Sequence, residues 1–237
     1  MRISMWSGPR NISTAIMYSF RERSDMEVFD EPLYGHYLVH TGIDHPLRDA
    51  TIADMDCDAN SVINDLLHTR GATPHRFYKN MAHHLAGLDR EFLGGLTNII
   101  LTRDPREMLP SLVAGFPAAN LDSTGLVIQV ELLEAMQRAG ETPIVLDAQQ
   151  VLTNPKTVLT KLCASLGLPW DEAMLSWQPG PKPEDGVWAS HWYTNVHAST
   201  GFGEYRPKSV PFPTELVSLL EQCEPLYARL REFAITA

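Results

Sequence analysis

This chain of 237 residues is short of several things, and each shortage narrows what it can be. Its three cysteines, Cys57, Cys163 and Cys223, are far apart and odd in number. A disulfide framework or a cysteine-based metal cluster needs closely spaced sets, so neither is expected and a reducing compartment fits. No apolar run approaches the roughly 20 residues that cross a bilayer. The opening residues MRISMWSGPR hold no apolar segment of a secretory signal. The expectation is a cytoplasmic protein without a membrane partner. Positive charge is scarce too: 19 Lys and Arg stand against 29 Asp and Glu, a formal net charge of −10. A protein that neutralises nucleic-acid phosphates needs the opposite balance, so no nucleic-acid partner is expected, although a local basic pocket for a small anion remains compatible. Two phosphate signatures are absent as well. The residues from Gly8, GPRNISTA, lack the second glycine and the lysine of G-x-x-x-x-G-K-[ST], and G-x-G-x-x-G does not occur. An ordinary ATPase or GTPase is therefore not expected.

What is present reads as a globular α/β chain, 44% hydrophobic and 20% charged, long enough for one large domain over residues 1–237. Arg2–Ser7 predicts a buried strand, and Ser13–Arg23 a helix with Ile16, Met17 and Phe20 on one face. Met26–Asp30 predicts a second strand. The polar stretch Glu31–Asp58 predicts a long loop holding at most a short helix, a length that usually marks a lid or binding segment. ANSVINDLLHTR predicts an amphipathic helix, His75–Lys79 a third strand and Leu96–Asp104 the most apolar strand. Asp104, Pro105 and Glu107 then form a capping box, and Pro110 predicts a kink in the helix that follows. Further helices are expected over Thr124–Ala139, over Asn154–Leu166 before Gly167, and from Pro213 onward, with a fifth strand at Thr142–Asp147. Strands alternating with helices predict a central parallel sheet covered on both faces, with ligands beyond the carboxyl ends of its strands. The late segment Gln178–Pro213 predicts a Pro- and Trp-rich loop. Its Trp188, Trp192 and Tyr193, with Trp177 just before it, read either as a small core or as a stacking surface.

The strand-to-helix junction Ser7-Gly8-Pro9-Arg10-Asn11-Ile12-Ser13-Thr14 has the composition of an anion site. A helix start offers unpaired N–H groups and partial positive charge, and Arg10 can fork onto two phosphate oxygens. Ser13 and Thr14 can cap the helix and touch an anion together. Arg103 ends the apolar strand and Ser111 follows eight positions later, which suggests a second phosphate subsite. Two phosphate subsites without a Walker lysine suggest a nucleoside phosphorylated at both ends.

At these residues the chain resembles the sulfotransferases that use 3′-phosphoadenosine-5′-phosphosulfate (PAPS), of bacterial type. PRNIST (Pro9–Thr14) is similar to their phosphosulfate loop, Arg103 and Ser111 to their 3′-phosphate motif, and Val145–Leu175 to the strand and helix that follow. Ile12 departs from the glycine usual there, and Ser199–Pro207 resembles the family's Gly-rich basic loop only loosely. The resemblance implies a three-layer P-loop-like fold, PAPS as sulfuryl donor with no metal, and a small-molecule acceptor bearing a hydroxyl or amine. It also implies in-line attack at sulfur, with Glu31 as general base and Arg10 and Lys79 stabilising the leaving oxygen. In the larger family a histidine follows the lysine as base. Here Asn80 and Met81 follow Lys79, so His83 or His84 is the competitor, while Asp30 is expected to support structure. The alternatives are a nucleotide-binding module of the same fold without transfer activity, and a kinase-like phosphoryl transferase, against which the missing lysine and the lack of a Mg²⁺ carboxylate set count.

Overall fold

The computed structural model describes residues 1–207 and 210–237. Five strands form one sheet: β1 (Arg2–Ser7), β2 (Met26–Asp30), β3 (His75–Met81), β4 (Thr97–Thr102) and β5 (Ile144–Asp147), in the order β2-β3-β1-β4-β5. β2 pairs parallel with β3, from Met26 opposite His75 to Asp30 opposite Lys79. β4 pairs parallel with β5, from Ile99 opposite Ile144 to Thr102 opposite Asp147. This is the α/β class that the alternation of apolar runs and helical periods predicts, with a parallel central sheet flanked by helices.

The described residues gather into two compact units. The first comprises Met1–Met5, Ser13–Asn98 and Asp171–Phe202. It carries α1 (Ser13–Arg21), α2 (Tyr34–Thr41), α3 (Arg48–Asp54) and α4 (Ala59–His68). Phe20 of α1 stacks on Phe77 of β3 with ring centroids 4.3 Å apart, and Ile16, Met17 and Leu38 are fully buried. The second comprises Trp6–Ile12, Ile99–Trp170 and Gly203–Ala237. It carries α5 (Pro105–Gly115), α6 (Leu126–Arg138), α7 (Ala148–Thr153), α8 (Pro155–Ser165) and the C-terminal helix Val217–Arg231. Ile99, Ile100, Leu101, Leu133, Leu159 and Leu162 are buried there. The Tyr227 hydroxyl donates to Asp147 at 2.9 Å, tying the last helix to the end of β5.

The structure departs from the sequence reading in several places. The stretch Glu31–Asp58 holds two helices, α2 and α3. Tyr34, Tyr37 and Leu38 have helical spacing and are buried, but the histidines and glycines among them hide the apolar stripe. α5 runs through Pro110 as one helix. The N–H that proline lacks would serve the carbonyl of Arg106, an exposed residue of the first turn where water can serve instead. The segment Gln178–Pro213 includes two short helical turns, Ala189–Trp192 and Thr194–His197.

Gln129, fully buried on α6, donates from Nε2 to the carbonyls of Trp6 at 3.0 Å and Leu101 at 2.8 Å. Those carbonyls lie where β1 and β4 approach their carboxyl ends. Gln129→Leu leaves buried acceptors short of a donor and is expected to cost about 1–3 kcal/mol. The loss should be read as a lower urea midpoint at unchanged slope. A wild-type midpoint would show that these carbonyls need no side-chain donor.

Candidate active site

In the second unit the chain leaves β1 through Ser7, Gly8, Pro9, Arg10, Asn11 and Ile12. A Cβ at Gly8 would lie 2.8 Å from the Thr124 carbonyl oxygen, so only glycine fits beneath that backbone. The Ser7 hydroxyl donates to the Gly8 carbonyl at 2.7 Å. Arg10 adopts φ 53°, a left-handed conformation costly for a side-chain-bearing residue. Asn11 braces the turn, its Oδ1 accepting from the Ile12 N–H at 2.8 Å and its Nδ2 donating to the Leu101 carbonyl at 3.2 Å.

Arg10 Nε donates to the Ser111 hydroxyl at 2.9 Å, and Arg103 Nη1 donates to the Arg10 carbonyl at 2.8 Å. Arg103, Glu107 and Ser111 follow at four-residue intervals, so α5 carries Glu107 and Ser111 on one face. Arg103 Nη2 lies 3.3 Å from Glu107, whose other oxygen accepts from the Tyr205 hydroxyl at 2.6 Å. Burial, and then the neighbouring Arg103 charge, lower the pKa of Arg10. Two guanidinium-bearing residues held this close favour an anion beside them. Arg10, Arg103 and Ser111, assigned from the sequence to two phosphate subsites, therefore meet in spite of their separation along the chain.

In the first unit α1 opens with Ser13 and Thr14, both buried. Its first N–H groups have no partner within the helix. The register that sets Asp30 opposite Lys79 builds a buried ionic cluster. Lys79 Nζ, fully buried, donates to Asp30 Oδ1 at 2.7 Å, to Glu31 Oε1 at 2.5 Å and to the Tyr193 hydroxyl oxygen. Asp30 also accepts from the Tyr193 hydroxyl, with Oδ2 at 2.8 Å, and from the Gly186 N–H at 3.2 Å. Glu31 lies just past β2 with φ 48°, and its N–H donates to the Lys79 carbonyl at 2.7 Å.

Burial pushes the Glu31 carboxyl up; Lys79 opposes that shift and Asp30 adds to it, leaving it raised. For Lys79, burial alone favours the neutral amine, but the charges of Asp30 and Glu31 outweigh it and raise its pKa. His84 Nε2 lies 3.8 Å from Glu31 Oε2, and its ring stacks on Tyr34 at 4.8 Å. His83 packs edge-on to Tyr37 at 5.0 Å and to His84 at 4.8 Å. Burial brings His83 down to about 3 and His84 well below its ordinary value, so both rings are neutral near pH 7. Of the two, His84 is the one beside the carboxylate.

The sequence offers Tyr193 only as part of a small core or stacking surface, gives Glu107 only a capping role, and reads Asp30 as structural support. The signal for Asp30 was its place at the end of β2, which the parallel register matches to Lys79. The aromatic cluster marks Tyr193, but nothing in the sequence links it to Lys79, which lies far away along the chain. Trp177, Trp188 and Tyr193 are buried. Trp188 and Tyr193 form a core cluster with Tyr34, Tyr37 and Leu38. A cavity of about 430 Å³ is lined by Glu22, Ala173, Ser176, Trp177, Gln178 and Thr200; of the residues singled out from the sequence it includes Trp177 alone. Among the described residues no group of three or more His, Cys, Asp or Glu is placed to hold a metal ion, and no helix is long and apolar enough to cross a membrane.

A five-stranded parallel sheet flanked by helices defines an α/β protein of P-loop-like class. Residues 1–234 match the sulfotransferase domain family, and the chain belongs to that family. Two solved structures share the fold. A sulfotransferase from Alicyclobacillus acidocaldarius superposes with a TM-score of 0.58 at 10% identity, covering 100% of this chain and 96% of that one. A sulfotransferase domain from the curacin biosynthetic pathway does so with a TM-score of 0.54 at 15% identity, covering 94% of this chain and 96% of that one. Two Arabidopsis thaliana proteins are closer in sequence. Branched-chain-amino-acid aminotransferase-like protein 1 is 41% identical over 232 residues and protein 2 is 39% identical over 230. Each alignment takes in 97% of this chain but 41% of the relative, so the chain spans about two fifths of their length.

The neutral histidines predict acid sensitivity. An unfolded histidine takes up its proton near 6.5, whereas folded His83 does so only near 3. The unfolded state then binds more protons over that interval, so stability falls as pH drops from about 6.5 toward 3. Glu31 acts oppositely, because its raised value makes the folded form the better proton binder above 4.5. His83→Phe keeps a ring beside Tyr37 and removes one titrating group. Its unfolding free energy should decline less than wild type between pH 6.5 and 4.5. Coincident slopes in urea titrations would mean that His83 charges within the fold.

Proposed function

We propose that this chain, acting as one sulfotransferase domain over residues 1–237, transfers a sulfuryl group from PAPS to a hydroxyl or amine of a small-molecule acceptor. Arg103 and Ser111 hold the 3′-phosphate. Arg10 and the start of α1 at Ser13 and Thr14 hold the 5′-phosphosulfate, with the turn Ser7–Ile12 setting the backbone. The observation that carries this reading is the meeting of Arg10, Arg103 and Ser111, with 2.9 Å between Arg10 Nε and Ser111 Oγ. A surface arginine would have no reason to spend a strained backbone on that contact.

The acceptor oxygen or nitrogen attacks sulfur in line, the bond from sulfur to the 5′-phosphate oxygen breaks, and adenosine 3′,5′-bisphosphate leaves. Glu31 takes the acceptor proton. Burial raises its pKa, which makes the carboxylate a stronger base, and Lys79 favours its ionised form. Arg10, Lys79 and the helix N-terminus stabilise the charge that grows on the leaving oxygen, as preorganised donors do in phosphoryl transfer. These side chains supply the positive charge without calling on a metal.

Calorimetry tests the donor. Adenosine 3′,5′-bisphosphate should bind about tenfold or more tightly than 5′-AMP, since charge-assisted contacts contribute roughly 1.5–3 kcal/mol each. Equal affinities would remove the assignment of Arg103 and Ser111. Binding without PAPS consumption by any acceptor would favour a nucleotide-binding module. For the base, Glu31→Gln should lower turnover by about 10²–10⁴-fold while bisphosphate binding survives. Wild-type turnover in that variant, with His83→Phe inactive, would move the base to the histidine pair.

A further inference from the structure

We propose that Tyr193 is the positioning residue that fixes the Lys79 ammonium beside Glu31. The inference rests on the reading above, in which Lys79 serves the leaving oxygen and Glu31 the acceptor proton.

Tyr193 is buried, and its hydroxyl meets more polar groups than any simple core tyrosine requires. The oxygen accepts from Lys79 Nζ and from Trp188 Nε1, the latter at 3.2 Å. Its proton goes to Asp30, 2.9 Å from Oδ1 and 2.8 Å from Oδ2. A phenol oxygen has two lone pairs, and Lys79 and Trp188 fill them. When Lys79 turns toward a new anionic charge, the phenol keeps its bonds to Trp188 and Asp30 and stays in place. The phenol ring is held by Trp188 and Tyr34, whose rings meet edge to face at 5.1 Å. The hydroxyl is thus a fixed point against which the flexible lysine is registered.

Burial, and then the charges of Asp30 and Glu31, push the Tyr193 phenol well above its ordinary range, so it stays protonated as a donor. The groups facing it are Lys79, Asp30, Glu31, Thr14, Trp188 and, 5.9 Å away ring to ring, His197. It does not touch the reacting atoms in this assignment; it acts through Lys79.

The test compares wild type with Tyr193→Phe, which keeps the ring and removes the hydroxyl, and with Trp188→Phe, which removes the indole donor and part of the ring in the same core cluster and so loosens the phenol. Brief labelling with acetic anhydride, followed by mass spectrometry, reads the reactivity of Lys79 against Lys161 and Lys182 in the same molecule. Tyr193→Phe should raise Lys79 labelling fivefold or more relative to those references. Trp188→Phe should raise it less, and this second variant decides the matter if the first does not fold. With PAPS, release of adenosine 3′,5′-bisphosphate should show kcat lowered at least tenfold and KM within threefold. Calorimetric affinity for the bisphosphate should be unchanged. Unaltered Lys79 labelling in the folded variants overturns the proposal, as does wild-type kcat in Tyr193→Phe beside an active parent. If labelling rises but wild type consumes no PAPS, the sulfotransfer reading fails while the hold of Tyr193 on Lys79 stands.

Discussion

Lys79 is a full positive charge at the end of an interior strand, without exposure to solvent. Removing such a charge from water costs several kcal/mol, and only close partners with good geometry offset it. Asp30 lies opposite it by strand register, Glu31 follows on the next residue, and Tyr193 closes the remaining side. The rest of the first unit's polar chemistry follows from this arrangement. Burial raises the Glu31 pKa, a shift that Lys79 opposes and the neighbouring Asp30 charge reinforces. The Gly186 N–H then serves Asp30 Oδ2, and Trp188 Nε1 donates to the Tyr193 hydroxyl oxygen alongside Lys79. The neutral, buried histidines keep a further cation from competing for Glu31.

Strain marks the same residues independently. Three non-glycine residues among those described have positive φ, and two of them are Arg10 and Glu31. Such conformations cost about 1–3 kcal/mol each and persist where surrounding bonds over-determine them. For Arg10 those bonds come from Arg103 to its carbonyl and from its own guanidinium to Ser111. For Glu31 they come from its N–H to the Lys79 carbonyl and from Tyr34 to its own carbonyl. Membership of the sulfotransferase domain family gives these strained positions a context, while the low identity to the solved relatives makes the common element the fold rather than any one side chain.

Much of the fold was legible in the sequence. The strands show as short apolar runs, and the helices before Gly167 and after Asp104 announce themselves by their caps. The elements that escaped are those whose signal is mixed. α2 buries tyrosines spaced among histidines, and α7 has only six residues. The arginine, serine and loop residues of the candidate phosphate site were legible because each belongs to a local motif with its own spacing. The cluster around Lys79 was legible only in part: Glu31 and Lys79 were visible, but the relation of Asp30 and Tyr193 to them was not.

The division has a physical basis. Local composition by itself determined where the chain turns from strand to helix, which turn has the composition of an anion site, and that a parallel sheet would place strand ends together. These are properties of backbone sterics, capping and apolar period, all set by neighbours along the chain. Tertiary structure alone decided which charges meet in the interior. Strand register set Asp30 against Lys79, and a late helical turn delivered Tyr193 to the same ammonium from a segment with no motif of its own. Such partnerships are selected by desolvation, which penalises an unmatched charge wherever its partner lies in the chain.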